Sequence, residues 1–222
     1  MRVFLIHGMG RTPASMWFLA MRLRMLGYRP SLFGYTVTVE PLDRIAERFE
    51  RHITGVLQED AHGNGDEWAV IGHSLGNIIT RLASPRLPAG FGRFIMMAPP
   101  NHSPAVAREL QDNPVFQVLA SDAGQRLCDE EFYEALPTPD VPSLIIAGER
   151  GVKGGWHPLG MTPNDAVVGV EETTLDGVPQ VVVPGVHTFL MNRRDVFSLI
   201  RGFLEQAMVD ELPESARIRR PF

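Results

Sequence analysis

The chain reads as an α/β protein, a three-layer α/β/α sandwich on a mostly parallel sheet of about six strands. Three observations predict this. Short apolar runs recur along the sequence and alternate with longer segments whose apolar residues fall at helical spacing. The runs are apolar without a break, as strands buried on both faces are, and neighbouring parallel strands need a crossover, usually helical, between them. The chain has 222 residues, 44% hydrophobic and 21% charged, enough for one domain with a sizeable core.

The elements follow in order. Residues 3–6 form the first strand, and residues 14–26 a helix that Gly27 ends. A second strand falls within residues 29–38. Residues 42–57 place Ile45, Phe49, Ile53, Val56 and Leu57 on one helical face. His62-Gly63-Asn64-Gly65-Asp66 is a turn-rich loop. A third strand at residues 68–71 leads into a helix at 77–83. Strands at 94–97, 143–147 and 180–183 complete the sheet. The last helix is expected to carry an Asn192 cap and Asp195 in its first turn. Val196, Leu199, Ile200, Phe203, Leu204 and Ala207 form its apolar stripe. Between residues 101 and 142 no strand signal occurs, only helical patches at 105–110, 115–119 and 130–136. That stretch reads as a small helical insertion within a single domain spanning residues 1–210. Residues 211–222 read as a polar, basic, mobile tail.

Charge and composition narrow the functional classes. A net charge of -5 gives no footprint for nucleic acid. No apolar run is long enough to span a bilayer. The apolar N-terminal stretch is too short for a signal peptide and lacks a cleavage-like site. Cys128 is the sole cysteine, so an intrachain disulfide is excluded. Cytoplasmic placement is the default expectation, and oligomeric state stays open. His102 and His157 lack metal-ligand spacing with any Cys or carboxylate pair, and no metal or cofactor is expected. His52 reads as structural or solvent-facing.

The most informative stretch is Gly72-His73-Ser74-Leu75-Gly76, set between a strand and a helix. Gly-x-Ser-x-Gly in that setting is the signature of a nucleophile elbow. The turn holds the serine in a strained conformation, and the flanking glycines let strand and helix approach closely. A serine hydroxyl needs a base, and the base needs an orienting group. His187 lies just past the last strand, on a loop at the carboxyl edge of the sheet, where open α/β sheets place their sites. The acid should fall between serine and histidine in chain order. Asp165 is the favoured candidate, with Asp176 and Glu149 as rivals. Two backbone amides would hold a developing oxyanion. They are Leu75, directly after the serine, and Met9, in the His7-Gly8-Met9-Gly10 loop after the first strand. Gly10 is the neighbour that could replace Met9. His73 is expected to pack beneath the elbow. Met9, Met16, Trp17, Met96 and Met97 could line an acyl pocket, although a core position is the commoner fate of such residues. Gly10, Met16, Trp17 and Trp156 are carried forward as substrate-lining candidates.

These residues carry a resemblance. The loop His7-Gly8-Met9-Gly10, the elbow, Asp165 and His187 together resemble the α/β-hydrolase superfamily, and more narrowly small lidless bacterial lipase-like or esterase-like serine hydrolases. The resemblance extends from Arg2 to Ala207. Asn164-Asp165-Ala166-Val167 is similar to the loop that carries the family's acid, which supports Asp165. Relative to the family, this chain starts at the strand that precedes the oxyanion loop. Asn77 departs from the pattern, since many lipases have a second glycine there. The resemblance implies hydrolysis of a carboxylic ester, from a small-molecule or lipid-like substrate, through a Ser74–His187–Asp165 triad and an acyl-enzyme. Acyl transfer, thioester or amide cleavage on the same site, and a non-catalytic binding role, are the alternatives.

Overall fold

The computed structural model of the chain describes residues 1–59 and 67–205. The expected loop at residues 62–66, Ala207 and the tail at 211–222 lie outside the described residues. Among the described residues, six strands form one parallel sheet: β1 Arg2–Ile6, β2 Arg29–Phe33, β3 Trp68–His73, β4 Phe91–Met97, β5 Ser143–Gly148 and β6 Gln180–Val183. Their order across the sheet is β2-β1-β3-β4-β5-β6. The helices are α1 Trp17–Met25, α2 Leu42–Glu59, α3 Leu75–Ala83, α4 Ala105–Leu110, α5 Pro114–Arg126, α6 Glu130–Ala135 and α7 Arg194–Leu204.

Successive residues of each central strand serve opposite layers, as a pleated strand requires. Phe4, Ile6, Val70, Phe94, Met96 and Ile145 pack with Ile45, Phe49 and Ile53 of α2 and Ile78 and Ile79 of α3. Val3, Leu5, Ala69, Ile71, Ile95, Met97, Leu144 and Ile146 pack with Leu19 and Leu23 of α1 and Val196, Ile200 and Leu204 of α7. This two-sided burial explains the unbroken apolar runs. Each fully buried Leu, Ile or Phe contributes about 2 kcal/mol of transfer free energy.

Segment 101–142 supplies α4, α5 and α6. Its end is tied to α3 by Arg81, a residue almost wholly buried. The guanidinium donates to Pro137 O at 2.9 Å, to Leu136 O at 3.1 Å and to Asn101 Oδ1 at 3.1 Å. Burial without a carboxylate partner lowers its pKa to about 10. Helix α5 is kinked at Ser121 (φ 48°, ψ -139°).

One local expectation fails. Asn192 does not cap α7, because the chain is still turning in a 3-10 helix from His187 to Asn192. Arg193 takes the cap position without a side-chain cap. Asp195 is in the first turn as expected; its Oδ1 accepts from the Val196 amide at 2.8 Å and its carboxylate pairs with Arg193.

The topology positions the site. From β1 the chain crosses to β2 on one side, then returns past β1 to β3 on the other. That reversal opens a crevice outside the carboxyl ends of β1 and β3. The His7–Gly10 loop leaves β1 there, and Ser74 follows β3 there.

Candidate active site

Ser74 joins β3 to α3 with φ 52° and ψ -125°, a conformation that L residues rarely adopt. The sequence around it makes this turn sterically feasible. A Cβ on Gly76 would stand 2.7 Å from the carbonyl oxygens of Ile6 and His7. A Cβ on Gly72 would overlap the Asn77 side chain. Asn77 is fully buried, and its Nδ2 donates to Ser74 O at 3.0 Å and Met97 O at 3.1 Å. The residue that departs from the lipase pattern therefore braces the turn. The Ser74 amide donates to Met97 O at 2.9 Å, which holds the elbow to β4.

The loop after β1 packs directly against the elbow. A Cβ on Gly8 would lie 2.9 Å from Ser74 Cβ and 2.9 Å from His73 Nδ1. The Arg11 amide donates to Gly8 O at 3.3 Å, closing a turn with Gly10 at φ 67°. Positive φ at the third position of such a turn is the glycine conformation. Tyr35, beyond β2, anchors this loop. Its hydroxyl donates to His7 O at 2.8 Å, and its ring stacks on His7 with centroids 4.3 Å apart. Burial pushes the His7 pKa below that of a free imidazole, against a smaller opposing effect of its bond to Gly8 O.

Asp165 lies on the loop after β5 and His187 on the loop after β6. Asp165 Oδ2 accepts from His187 Nδ1 at 2.7 Å. Its other oxygen accepts from the amides of Val167 at 3.0 Å and Val168 at 2.8 Å. The His187 amide donates to Asp165 O at 2.9 Å. Asp165 is fully buried and His187 nearly so. A carboxylate with this set of donors fixes the ring and leaves Nε2 as the free nitrogen. Glycine again permits the approach: a Cβ on Gly148 would be 2.6 Å from Gly185 O and 2.8 Å from Asp165 Cβ. Among the described residues no hydrogen bond joins Ser74 Oγ to His187.

The two rival acids lie elsewhere. Asp176 sits in a turn closed by the Val178 amide on Leu175 O at 3.1 Å, with Gly177 at φ 77°. That turn precedes β6, so it is at the amino edge of the sheet, opposite His187. Glu149 is at the carboxyl end of β5 but exposed. Of the pocket candidates, Met16 is corrected to a core residue: it is fully buried among Val3, Leu5 and Leu19. Met96 and Met97 are core as well. Trp17 and Trp156 are exposed, at 56% and 78%. A cleft of about 390 Å³, lined by Pro139, Val141, Asp176, Val178 and Phe203, lies at the amino edge, remote from Ser74. Among the described residues no cluster of three or more His, Cys, Asp or Glu could hold a metal ion, and no helix is long and apolar enough to cross a membrane.

Comparison with known proteins agrees with this architecture. The family described as the Alpha/beta hydrolase family matches residues 3–218, so the chain belongs to that family. The mature form of the Bacillus licheniformis lipase BlEst2 superposes with a TM-score of 0.73 at 15% identity, covering 91% of each chain. The Legionella pneumophila phospholipase PlaB gives 0.67 at 14% identity, over 95% of this chain and 64% of its own. A thermophilic esterase from Thermogutta terrifontis gives 0.58 at 13% identity, over 93% and 90%. At such identities the likeness speaks for the fold. No curated protein matches the chain by sequence.

Proposed function

We propose that the protein is a serine hydrolase that cleaves a carboxylic ester. The observation that carries this reading is the convergence of three loops at one edge of the sheet: the strained Ser74 elbow, the glycine-bearing loop after β1, and the buried Asp165–His187 pair. His187 Nε2, with Nδ1–H held by Asp165, takes the Ser74 proton as the hydroxyl attacks the carbonyl carbon. The Met9 and Leu75 amides hold the oxyanion, the latter at the N-terminus of α3, where the helix dipole favours negative charge. Collapse of the tetrahedral intermediate expels the alcohol, protonated by His187, and leaves Ser74 acylated. Water, deprotonated by His187, then releases the acid by the reverse steps. A Ser–His bond that forms only with substrate in place is common in such sites. The lipase, phospholipase and esterase neighbours favour an ester substrate. The test is a panel of p-nitrophenyl esters of increasing acyl length. The wild type should hydrolyse at least one, and Ser74→Ala should lose nearly all of that activity. Equal rates for the two proteins would end this reading.

A further inference from the structure

His187 is held at three atoms, and only two of the holds come from Asp165. The carboxylate takes Nδ1–H at 2.7 Å and the Asp165 carbonyl takes the amide N–H at 2.9 Å. The third comes from His73, the residue immediately before Ser74, whose Nε2 lies 2.9 Å from His187 O. A carbonyl only accepts, so His73 Nε2 carries the proton.

We infer that His73 is a positioning residue, whose side chain clamps the main chain of His187 to the serine-bearing strand so that base and nucleophile keep a fixed separation. This inference rests on the serine-hydrolase reading above.

Four observations support it. His73 ends β3, paired in register with Met97, so its backbone is as fixed as any in the sheet. Its ring is buried and packs on the His187 ring, with centroids 4.8 Å apart. Its other nitrogen, Nδ1, is buried with no hydrogen-bond partner, so the bond to His187 O is the one hydrogen bond the ring makes among the described residues. The loop after β1 passes close to that nitrogen, since a Cβ on Gly8 would stand 2.9 Å from it. A single imidazole thus binds the base loop and lies beside the loop after β1, in the residue immediately before Ser74. A core-filling role alone would suit an apolar side chain better, because leaving a buried nitrogen unpaired is costly. The ring is also kept neutral. Burial, and next the adjacent His187, hold its pKa well below 6.5.

The test compares His73→Gln, His73→Asn and His73→Leu. The amide nitrogen of glutamine lies as many bonds from Cα as imidazole Nε2, so it can donate to His187 O. That of asparagine stands where Nδ1 was and cannot. Each variant is checked for folding by circular dichroism and thermal unfolding, then assayed for kcat and KM on the best p-nitrophenyl ester. Low-field proton NMR follows the His187 Nδ1–H bonded to Asp165. The Leu and Asn variants should lose about 10- to 100-fold in kcat, the scale of a small misplacement of reacting groups, with KM within about twofold. The Gln variant should recover most of that loss, and its low-field signal should persist while that of the other two broadens. Folded Leu and Asn variants with wild-type kcat, or a Gln variant no better than Asn, would overturn the inference. If the Leu variant fails to fold, the Gln–Asn comparison decides. A fluorophosphonate that fails to label Ser74 in the wild type would remove the underlying hydrolase reading. Labelled wild type with a fully active His73→Asn would overturn the clamp alone.

Discussion

Asp165→Asn should nearly abolish turnover while leaving the fold intact, and the hydrogen bonds show why. In the native loop one carboxylate oxygen accepts from two amides, Val167 and Val168, and the other accepts from His187 Nδ1–H. An asparagine has one oxygen and one NH2 in the same places. Turning the NH2 toward the loop would oppose two backbone donors. The oxygen therefore stays with Val167 and Val168, and the NH2 faces His187. Imidazole must then present a bare Nδ1 and carry its proton on Nε2, the nitrogen that should receive the serine proton. The loss from a wrong tautomer in a triad of this kind is about 10⁴-fold in kcat, or about 5.4 kcal/mol of transition-state stabilisation. The native side chain accepts three bonds and the variant keeps two of them, so the thermal midpoint should move by only a few degrees. The assay is kcat on the best ester of the panel, with thermal unfolding of the same preparations. A folded Asp165→Asn that retains more than about a tenth of wild-type kcat would show that Asp165 does not set the His187 tautomer.

Three other outcomes follow from the same geometry. Asp176→Asn and Glu149→Gln should each keep kcat within about twofold, since one lies at the opposite edge of the sheet and the other is exposed; a large loss in either would move the acid. Gly76→Ala places a Cβ 2.7 Å from two carbonyl oxygens of the β1 end, so it should cost about 1–3 kcal/mol in denaturant unfolding and also lower activity; an unchanged midpoint would show that the elbow has slack. Stability should fall with acid because buried His73 has a folded-state pKa well below its 6.5 in the unfolded chain. The unfolded chain takes up that proton first, so this contribution is complete above about pH 6.5. It is lost below that at up to about 1.4 kcal/mol per pH unit until the folded value is reached. Unfolding free energy that stays flat from pH 7 to 5 in wild type, or has the same slope in His73→Gln, would contradict it.

The sheet was legible because its strands are buried on both faces. Nothing in Val70-Ile71 or Leu144-Ile145-Ile146 competes with that reading. The elbow was legible because its steric demands leave few choices beyond glycine at positions 72 and 76. Less visible were features that depend on which edge a loop reaches. Asp165 and Asp176 both fall between Ser74 and His187 in sequence, and only the strand directions put one beside His187 and the other at the far end. Met16 was a pocket candidate as a methionine close in sequence to the loop after β1, but it ends the 3-10 turn Pro13–Met16 and is fully buried in the core. Asn192 was read as a cap because it precedes the apolar stripe with Asp195 three residues on, but a 3-10 helix from His187 to Asn192 delays α7. Gly148, beneath Asp165, gave no signal at all, since its role is to let two loops from different strands meet. Asn77 stood out only as an irregularity, and its function as a brace emerges from the two carbonyls it binds.

Ser74 as nucleophile, activated by the Asp165–His187 pair, is open to one decisive measurement. The most direct measurement is peptide mapping by mass spectrometry after brief exposure to a fluorophosphonate. One adduct should form, on Ser74, in the wild type. It should be absent in Ser74→Ala and slowed at least about a hundredfold in His187→Ala. An adduct on another serine, or labelling of Ser74 that is indifferent to the loss of His187, would rule out this triad.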